Sequence, residues 1–378
     1  MSVARLRESE WEIVEAAERA LADIVPTLSR DDSGVITDLK SVKKRLAERG
    51  LGGIDIPAEH GGRGASPLAQ ALVQFLCGYY DVDLRDSAHA GHGHLIVKHG
   101  SDRQRAEWVP VMLAGGLVGI AATEPRGGTN VRRPHTVVRR APDGLRITGT
   151  KRFISRIEEA SVFVVFAREE DTDALRAVLV PADTPGLLRT RLTPTGLAGW
   201  SWGQLDFDDV AVPPTAVLPG FGEDAGWIFR SHFDYYRPMV AMVALGGAAW
   251  VFDHVVQGIR DRVDDGRISR PRDGALERLG RAHVALQSAL LAGLAGAARN
   301  AQASPATHAW SAAIKAHGVD TAHTVVSDLM PLAGAEVFQR HTHVSKTLRD
   351  VRGFTYADGV HDALLAAAGR ELMRTAVR

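Results

Sequence analysis

The spacing of apolar residues changes twice along this chain, and this limits its possible folds more than any other feature. From Glu8 to about Gly119 the pattern is mostly helical, as in the stretch "DLKSVKKRLAERGLGGI". Ser66 follows a long turn and is placed to cap the next helix. This first block therefore predicts helices and loops without a sheet.

The middle of the chain has a different pattern. Short runs rich in β-branched and aromatic residues, such as "LRITGTKRFIS" and "ASVFVVFAREE", alternate with the turn sequences "APDG" and "DTPG". Long helical segments return from Gly226 onward. We expect a mainly α protein with a central β-domain. Its predicted parts are an N-terminal helical domain (1–118), a middle antiparallel β-barrel or sandwich (119–222) and a C-terminal four-helix bundle (223–378).

Charge and composition exclude several classes of function. Lys and Arg together number 45, equal to Asp and Glu, so no basic face for nucleic acid is indicated. The N-terminus is amphipathic and lacks the apolar core of a signal peptide. Apolar stretches such as "MVAMVALGGAAWVF" fall short of the ~18 residues of a membrane span. The single cysteine, Cys77, lies in an apolar run and is expected to be a buried thiol. We expect a cytoplasmic protein without membrane or nucleic-acid partners.

Five strings between and within these blocks carry more specific information. They are "LAERGLGGIDIPAEHGGRG", "GIAATEPRGGTNV" followed by "ITGTKRFIS", "LDFDDVAVP" and "LRDVRGFTYADGVHDALLAAAGREL". In this order and spacing the sequence resembles the acyl-CoA dehydrogenase family over roughly residues 35 to 372. The resemblance implies FAD as cofactor and an acyl thioester of coenzyme A or an acyl carrier protein as substrate. It also implies a homodimer or homotetramer and an electron acceptor such as an electron-transfer flavoprotein or oxygen.

The resemblance also implies which residues contact the flavin. Ala121, Ala122 and Thr123 would supply backbone and hydroxyl donors to the N1/O2 edge, where the reduced ring carries negative charge. Ser155 would lie near flavin N5, and Phe153 replaces the family's usual tryptophan. From composition alone, Thr123 and Ser155 are more readily explained as ordinary turn and strand-end residues.

Other family positions are altered in this chain. Arg267 is the best counterpart of an arginine-phenylalanine-glycine flavin motif, and Ala333 and Gly334 replace a glycine pair near the adenosine. Arg126 stands where a small glycine is usual and could hold a phosphate or a carboxylate. The substrate-binding positions that the resemblance implies are Arg126, Thr129, Tyr236, Arg237 and Gly359.

Asp358 is the candidate catalytic base. In "YADGVHD" an Asp-Gly pair precedes a helix, so the local pattern also fits a turn or a helix cap. The resemblance implies that a carboxylate in this turn removes the substrate α-proton. Tyr236 occupies the family's other base position, and a tyrosine accepts protons poorly near neutral pH. His361 could modify the base or lie in solvent.

Alternatives to an ordinary acyl-CoA dehydrogenase remain open at this stage. The altered family motifs suggest a specialised member of the family. Its substrate could be an acyl group bound to a carrier protein, including a small hydroxyacyl or malonyl-type group. A flavin-dependent monooxygenase of the same fold, or an inactive homologue that serves as a scaffold, would also retain the architecture. The histidines of "HAGHGHLIVKH" lack a recognisable ligand spacing, so no metal site is expected.

Overall fold

The computed structural model describes residues 6–126, 131, 133–219, 224–300 and 305–375. The predicted substrate-binding residue Thr129 lies outside the described residues.

Helices form the first part of the chain, as the apolar spacing predicts. Ser66 accepts a hydrogen bond from the Ala69 amide, with Pro67 at the first helical position, so the predicted cap is confirmed. Ser101 and Gln104 form a reciprocal capping box on a later helix. The helices are α1 (Glu8–Ile24), α2 (Leu39–Ala47), α3 (Pro67–Tyr80), α4 (His94–His99) and α5 (Asp102–Leu113).

A seven-stranded sheet follows in the middle of the chain. Its strands are β1 (Leu117–Ala121), β2 (Val137–Ala141), β3 (Gly144–Ser155), β4 (Ala160–Glu169), β5 (Leu175–Pro181), β6 (Leu187–Leu192) and β7 (Trp202–Val212). The order is β1-β4-β2-β3-β7-β6, with β5 paired to β4. The predicted central β-domain is therefore confirmed. Its sheet is mixed rather than purely antiparallel, because β1 and β2 both run parallel to β4.

Long helices complete the fold. They are α6 (Gly226–Asp264), α7 (Asp273–Asn300), α8 (Pro305–Ala333), α9 (His343–Gly353) and α10 (His361–Thr375). Helix α6 packs directly against α3, because glycines lie at the crossing. A Cβ on Gly78 would lie 2.0 Å from the Val243 carbonyl oxygen, and one on Gly246 would lie 2.1 Å from that of Phe75. The helical bundle and the N-terminal helices are thus in backbone contact. The predicted domain boundaries stay a prediction.

Helix α6 differs from one sequence expectation. An 18-residue window of this helix has a mean hydropathy of 1.7, so by length and composition it could cross a membrane. However, 67% of that window is buried inside the protein, as in the core helix of a globular fold. The apolar side chains of α6 pack against α3, α7 and α8.

A buried charge network joins the parts of the chain near α9. The Lys346 ammonium lies 2.7 Å from Asp81, 2.9 Å from Asp83 and 2.7 Å from Asp350. The other oxygen of Asp350 accepts a hydrogen bond from the Leu197 amide at 2.6 Å. One lysine therefore ties the N-terminal helices and the loop before β7 to the helix that leads into the Asp358 turn.

Candidate active site

A cavity of about 1160 Å³ lies where the three parts of the chain meet. Its wall includes residues after β1, the end of β3, one side of α6 and the turn between α9 and α10. A pocket for one small molecule usually measures ~300–1,000 Å³. This cavity is therefore larger than the usual pocket for one small molecule.

The segment after β1 forms one wall and is fixed by the end of β3. The Lys151 ammonium donates to the Ala122 carbonyl at 3.1 Å and pairs with Glu124 at 2.9 Å. The Arg152 amide donates to the Thr123 carbonyl at 2.8 Å. Among the described residues, the Thr123 hydroxyl has no hydrogen-bond partner, and Thr123 lines the cavity. The segment thus presents a free hydroxyl on a fixed backbone.

Phe153 and Ser155 line the same wall because β3 is irregular at its end. The register between β3 and β7 shifts at Phe153, which has a φ of +60° and is 56% exposed. Such a bulge redirects one side chain out of the sheet. The Ser155 hydroxyl accepts a hydrogen bond from Arg156 at 3.0 Å. The predicted aromatic residue and hydroxyl are therefore both at the cavity surface.

Helix α6 supplies Tyr236 and Arg237, and both are buried and line the cavity. The Tyr236 hydroxyl donates to the carboxylate of Asp86. Arg237 donates from Nε to the Asp358 carbonyl at 3.1 Å. Burial lowers the pKa of Arg237, although Asp234 and Asp358 favour its charged form. The two adjacent residues of α6 therefore contact two different carboxylate-bearing segments of the wall.

Asp358 sits in a tight turn that two buried cations hold. Its φ is +56°, and Gly359 follows with a φ of +111°. The Lys315 amine of α8 donates to the Gly359 carbonyl at 2.8 Å and to the Phe354 carbonyl at 2.6 Å. Burial lowers the pKa of Lys315 to about 7. The turn is thus anchored through its backbone, which leaves its side chain free.

The Asp358 carboxylate has no hydrogen-bond partner among the described residues, and it lines the cavity. Helix α10 begins only at His361, and no cap bond from Asp358 is found in the described part of the chain. His361 is buried and pairs through Nδ1 with Asp320 at 2.8 Å, so it is not a solvated helix residue. The geometry favours an accessible carboxylate over a helix cap.

Backbone strain concentrates at this cavity. Seven described residues other than glycine have a positive φ, and five of them line the cavity: Asp86, Phe153, Arg156, Leu197 and Asp358. A left-handed backbone is costly for such residues and persists where surrounding contacts enforce it. The clustering is independent support for the cavity as the functional site.

Several predicted residues do not reach the cavity within this single chain. Arg126 is exposed on the loop after β1, and Arg267 is exposed and pairs with Asp265 at 2.7 Å. Ala333 and Gly334 lie at the end of α8, and Ala121 is buried at the end of β1. The structure brings together the predicted residues Ala122, Thr123, Phe153, Ser155, Tyr236, Arg237, Asp358 and Gly359.

Some cavity residues had no signal in the sequence. Gln74 lies on α3, Arg85 and Asp86 lie in a turn after α3, and Arg156 directly follows the predicted Ser155. Asp86 is bound by Tyr236, 150 residues later in the chain. No local pattern reports a pairing across that distance, so these residues could be found only from the tertiary structure.

The histidines near α4 are part of the core. His92 lies 3.0 Å from His232, and His94 stacks on Tyr235 with ring centroids 4.2 Å apart. Burial lowers the pKa of His94 to about 3, so it is neutral. The acidic group with metal-like spacing among the described residues is the three-aspartate set around Lys346, whose ammonium contacts all three carboxylates. Cys77 is buried as predicted, and burial raises the pKa of its thiol to about 12.

Comparison with known protein families decides the assignment. Models of the acyl-CoA dehydrogenase N-terminal, middle and C-terminal domains match residues 7–116, 119–210 and 224–373. The chain belongs to the acyl-CoA dehydrogenase family. It is accordingly a flavin oxidoreductase that acts on CH–CH donors, with FAD as its cofactor.

Individual members of the family differ in what they act on. The chain is 28% identical over 369 residues to a 3-sulfinopropanoyl-CoA desulfinase of Paraburkholderia xenovorans, covering 95% of this chain and 94% of that protein. A glutaryl-CoA dehydrogenase from Mycobacterium smegmatis in complex with FADH2 has a TM-score of 0.85 at 20% identity, covering 97% and 95%. The prolyl acyl carrier protein oxidase AnaB has a TM-score of 0.84 at 17% identity, covering 97% and 100%.

The cavity of this acyl-CoA dehydrogenase homologue fits a flavin. Ala122 and Thr123 offer a fixed backbone and an unpaired hydroxyl, while Phe153 and Ser155 offer an aromatic face and a second hydroxyl. A polar edge beside an aromatic surface matches the chemistry of a flavin ring, which has polar N1 and O2 atoms and a flat apolar face. These four residues would hold the cofactor on the β-domain wall, opposite the bundle that carries Asp358.

Proposed function

We propose that this protein dehydrogenates a short acyl thioester and that Asp358 is its catalytic base. The observation that supports this most strongly is the Asp358 carboxylate, which lines the cavity and has no partner among the described residues. The carboxylate would take the α-proton as a double bond forms between Cα and Cβ. FAD, when bound, accepts the β-hydrogen as hydride.

The surrounding residues position the base without neutralising it. Arg237 and Lys315 bind the carbonyls of the turn rather than the carboxylate of Asp358. The carboxylate oxygens therefore remain free to accept a proton. A fixed turn keeps the base in one orientation toward the substrate. Holding a catalytic group in the reactive geometry in this way increases the reaction rate.

The substrate class follows from the relatives and from this chain's departures. We infer a specialised, secondary-metabolism role, with a thioester carried either by coenzyme A or by an acyl carrier protein. Both carriers occur in the names of relatives, as a sulfinopropanoyl-CoA in one and a prolyl carrier protein in another. Arg126, exposed on the loop after β1, could bind the phosphate that both carriers share.

Matched thioesters test the proposal. The purified flavoprotein is mixed anaerobically with the same short acyl group on coenzyme A and on a carrier protein, and flavin absorbance is followed. Bleaching by either thioester supports the dehydrogenase, and the faster one identifies the carrier. Reduction by a nicotinamide donor but by no thioester would contradict the proposal and favour a monooxygenase.

We further propose a homodimer or homotetramer in the cytoplasm that passes electrons to an electron-transfer flavoprotein or to oxygen. One similar solved structure, described under the electron-transferring flavoprotein of Acidaminococcus fermentans, has a TM-score of 0.91 at 22% identity. Reoxidation of the reduced protein by air and by an electron-transfer flavoprotein, compared in one stopped-flow series, distinguishes the two acceptors. Light scattering gives the oligomeric state.

A further inference from the structure

A polar cluster lies in the cavity wall where α3 and the turn after it meet the end of β3 and α6. We name it the Asp86 cluster; its members are Gln74, Arg85, Asp86, Arg156 and Tyr236, and all five line the cavity that contains Asp358. All five are buried or nearly so, and Asp86 is held at a φ of +64°. An unsubstituted acyl chain gains nothing from such a wall, since its methylenes offer no hydrogen bonds.

Both oxygens of the Asp86 carboxylate have partners. Gln74 donates to its Oδ1 at 3.0 Å, Tyr236 donates to the same oxygen, and Arg156 pairs with Oδ2. Because the Tyr236 proton is committed to Asp86, the phenol oxygen offers its lone pairs to any further partner. The cluster therefore presents a hydrogen-bond acceptor to the cavity.

Arg85 adds a donor without an acceptor. Its side chain is buried, with 7% of the residue exposed, and its Nη2 lies 3.4 Å from the Leu197 carbonyl. Its Nη1 is buried and has no hydrogen-bond partner. A buried charged donor left unpaired is costly, and a ligand oxygen would relieve that cost. The cluster thus offers an unmet donor on Arg85 and an acceptor on Tyr236.

The cluster lies within electrostatic range of the candidate base. Burial is the main cause that lowers the pKa of Arg156 to about 9; the positive charge of Arg85 lowers it further, and the carboxylate of Asp358 opposes both. Burial also lowers the pKa of His92, against the effect of Asp358 and Asp86. Because the cluster and Asp358 line one cavity, a group bound at the cluster would share that cavity with the reacting carbons.

A hydroxyl group satisfies both functions, because it accepts from an arginine and donates to a phenol oxygen, whereas a carboxylate only accepts. We propose that the Asp86 cluster is a subsite for a hydroxyl on the acyl group, with Tyr236 and Arg85 as specificity-determining residues and Asp86 as the residue that positions Tyr236. This inference rests on the proposed function, since it assumes an acyl thioester beside Asp358. The substrate is then a short hydroxyacyl thioester.

Substrates with and without the hydroxyl test the inference. Holoenzyme is assayed with butyryl, 3-hydroxybutyryl, 4-hydroxybutyryl and succinyl thioesters on the carrier that bleaches the flavin faster. We expect kcat/KM for at least one hydroxylated thioester to exceed that for butyryl by about tenfold or more, because a site built for a hydroxyl discriminates against the analogue without it. Equal values, or a preference for the succinyl thioester, would overturn the hydroxyl subsite.

Variants assign the effect to the cluster. Tyr236→Phe and Arg85→Met should each lose most of the preference for the hydroxylated thioester, through KM: kcat/KM for the hydroxylated thioester should fall at least about fivefold more than kcat/KM for butyryl. Tyr235→Phe, a neighbouring tyrosine on α6 outside the cavity lining, is the matched control and should keep the preference. An equal loss with all thioesters would place these residues on the thioester itself and overturn the inference.

The same series separates this inference from the proposed function. If the wild-type protein is reduced by none of the thioesters, the dehydrogenase proposal fails. If it is reduced by butyryl and hydroxylated thioesters at equal rates, the dehydrogenase stands and only the hydroxyl subsite fails.

Discussion

The buried amine of Lys315 should make the stability of this protein depend on pH in a way that one substitution removes. The amine holds two carbonyls of the Asp358 turn, and burial lowers its pKa from the ordinary 10.5 to about 7, although Asp358 favours the charged form. Replacing it in Lys315→Met removes both the titrating group and the two hydrogen bonds.

The magnitude follows from the two pKa values. Their difference, multiplied by about 1.4 kcal/mol per pH unit, corresponds to roughly 5 kcal/mol. Since the folded pKa is the lower one, the unfolded chain binds more protons between pH 7 and 10.5, and stability rises with pH across that window. Below pH 7 both states carry the charge, and the full cost of burying it is present. A neutral amine still has two N–H donors, so both carbonyls remain bonded at higher pH.

The free energy of unfolding is measured by urea titration of wild type and Lys315→Met at pH values from about 6 to 9. We expect the difference in favour of wild type to grow by about 1.4 kcal/mol per pH unit above pH 7, added to a constant loss of ~1–3 kcal/mol for each carbonyl left unpaired. Lys44→Met, at an exposed lysine of α2, serves as the control and should show no such slope. A difference that stays flat with pH would refute a buried amine titrating near neutrality.

Three further predictions concern packing, charge and cofactor. Gly246→Ala places a Cβ 2.1 Å from the Phe75 carbonyl oxygen and should lower the free energy of unfolding by ~1–3 kcal/mol or more. On the same helix, a Cβ in Gly258→Ala meets no atom within 4 Å, so this variant should gain ~0.5–1 kcal/mol. Thermal midpoints check both variants, and equal midpoints would contradict the packing argument. Lys346→Met leaves the buried carboxylates of Asp83 and Asp350 without a cation, whereas Asp81 keeps its pair with Arg30. It should cost ~3–5 kcal/mol in urea titrations, and a loss under 1 kcal/mol would contradict the network. Phe153→Ala removes an aromatic face and should raise the flavin dissociation constant by about tenfold in a fluorescence titration; unchanged affinity would remove this ring from the cofactor wall.

Local patterns predicted the architecture because they report which face of each element is buried. The change from helical spacing to β-rich runs and back matches the observed α, β and α order, and Ser66 caps α3 as predicted. The ordered strings also located Asp358, Thr123 and Ser155 on one cavity. Their roles followed from the resemblance of these strings to the family, because the local turn and cap signals alone fit ordinary structural residues at the same positions.

Long-range pairings were beyond local patterns. The bond between Tyr236 and Asp86 and the clamp from Lys315 on the Asp358 turn join helices far apart in sequence. The parallel pairing of β1 with β4 likewise depends on where the chain enters the sheet, which residue preferences do not encode. The bulge at Phe153 lies inside the run "LRITGTKRFIS", where no glycine or proline adjoins it, so the run does not predict it.

Flavin reduction by substrate in Asp358→Asn tests the central claim most directly. The variant should fold and bind flavin normally, because asparagine tolerates a positive φ and Arg237 binds the backbone carbonyl at this position. We predict that the rate of flavin reduction by substrate falls by a factor of ~10²–10⁴ in single-turnover stopped flow. The control is Asp362→Asn, at an exposed residue of α10, and its flavin should be reduced at the wild-type rate. An Asp358→Asn protein that retains its flavin and is reduced as fast as wild type would contradict the assignment of Asp358 as the base.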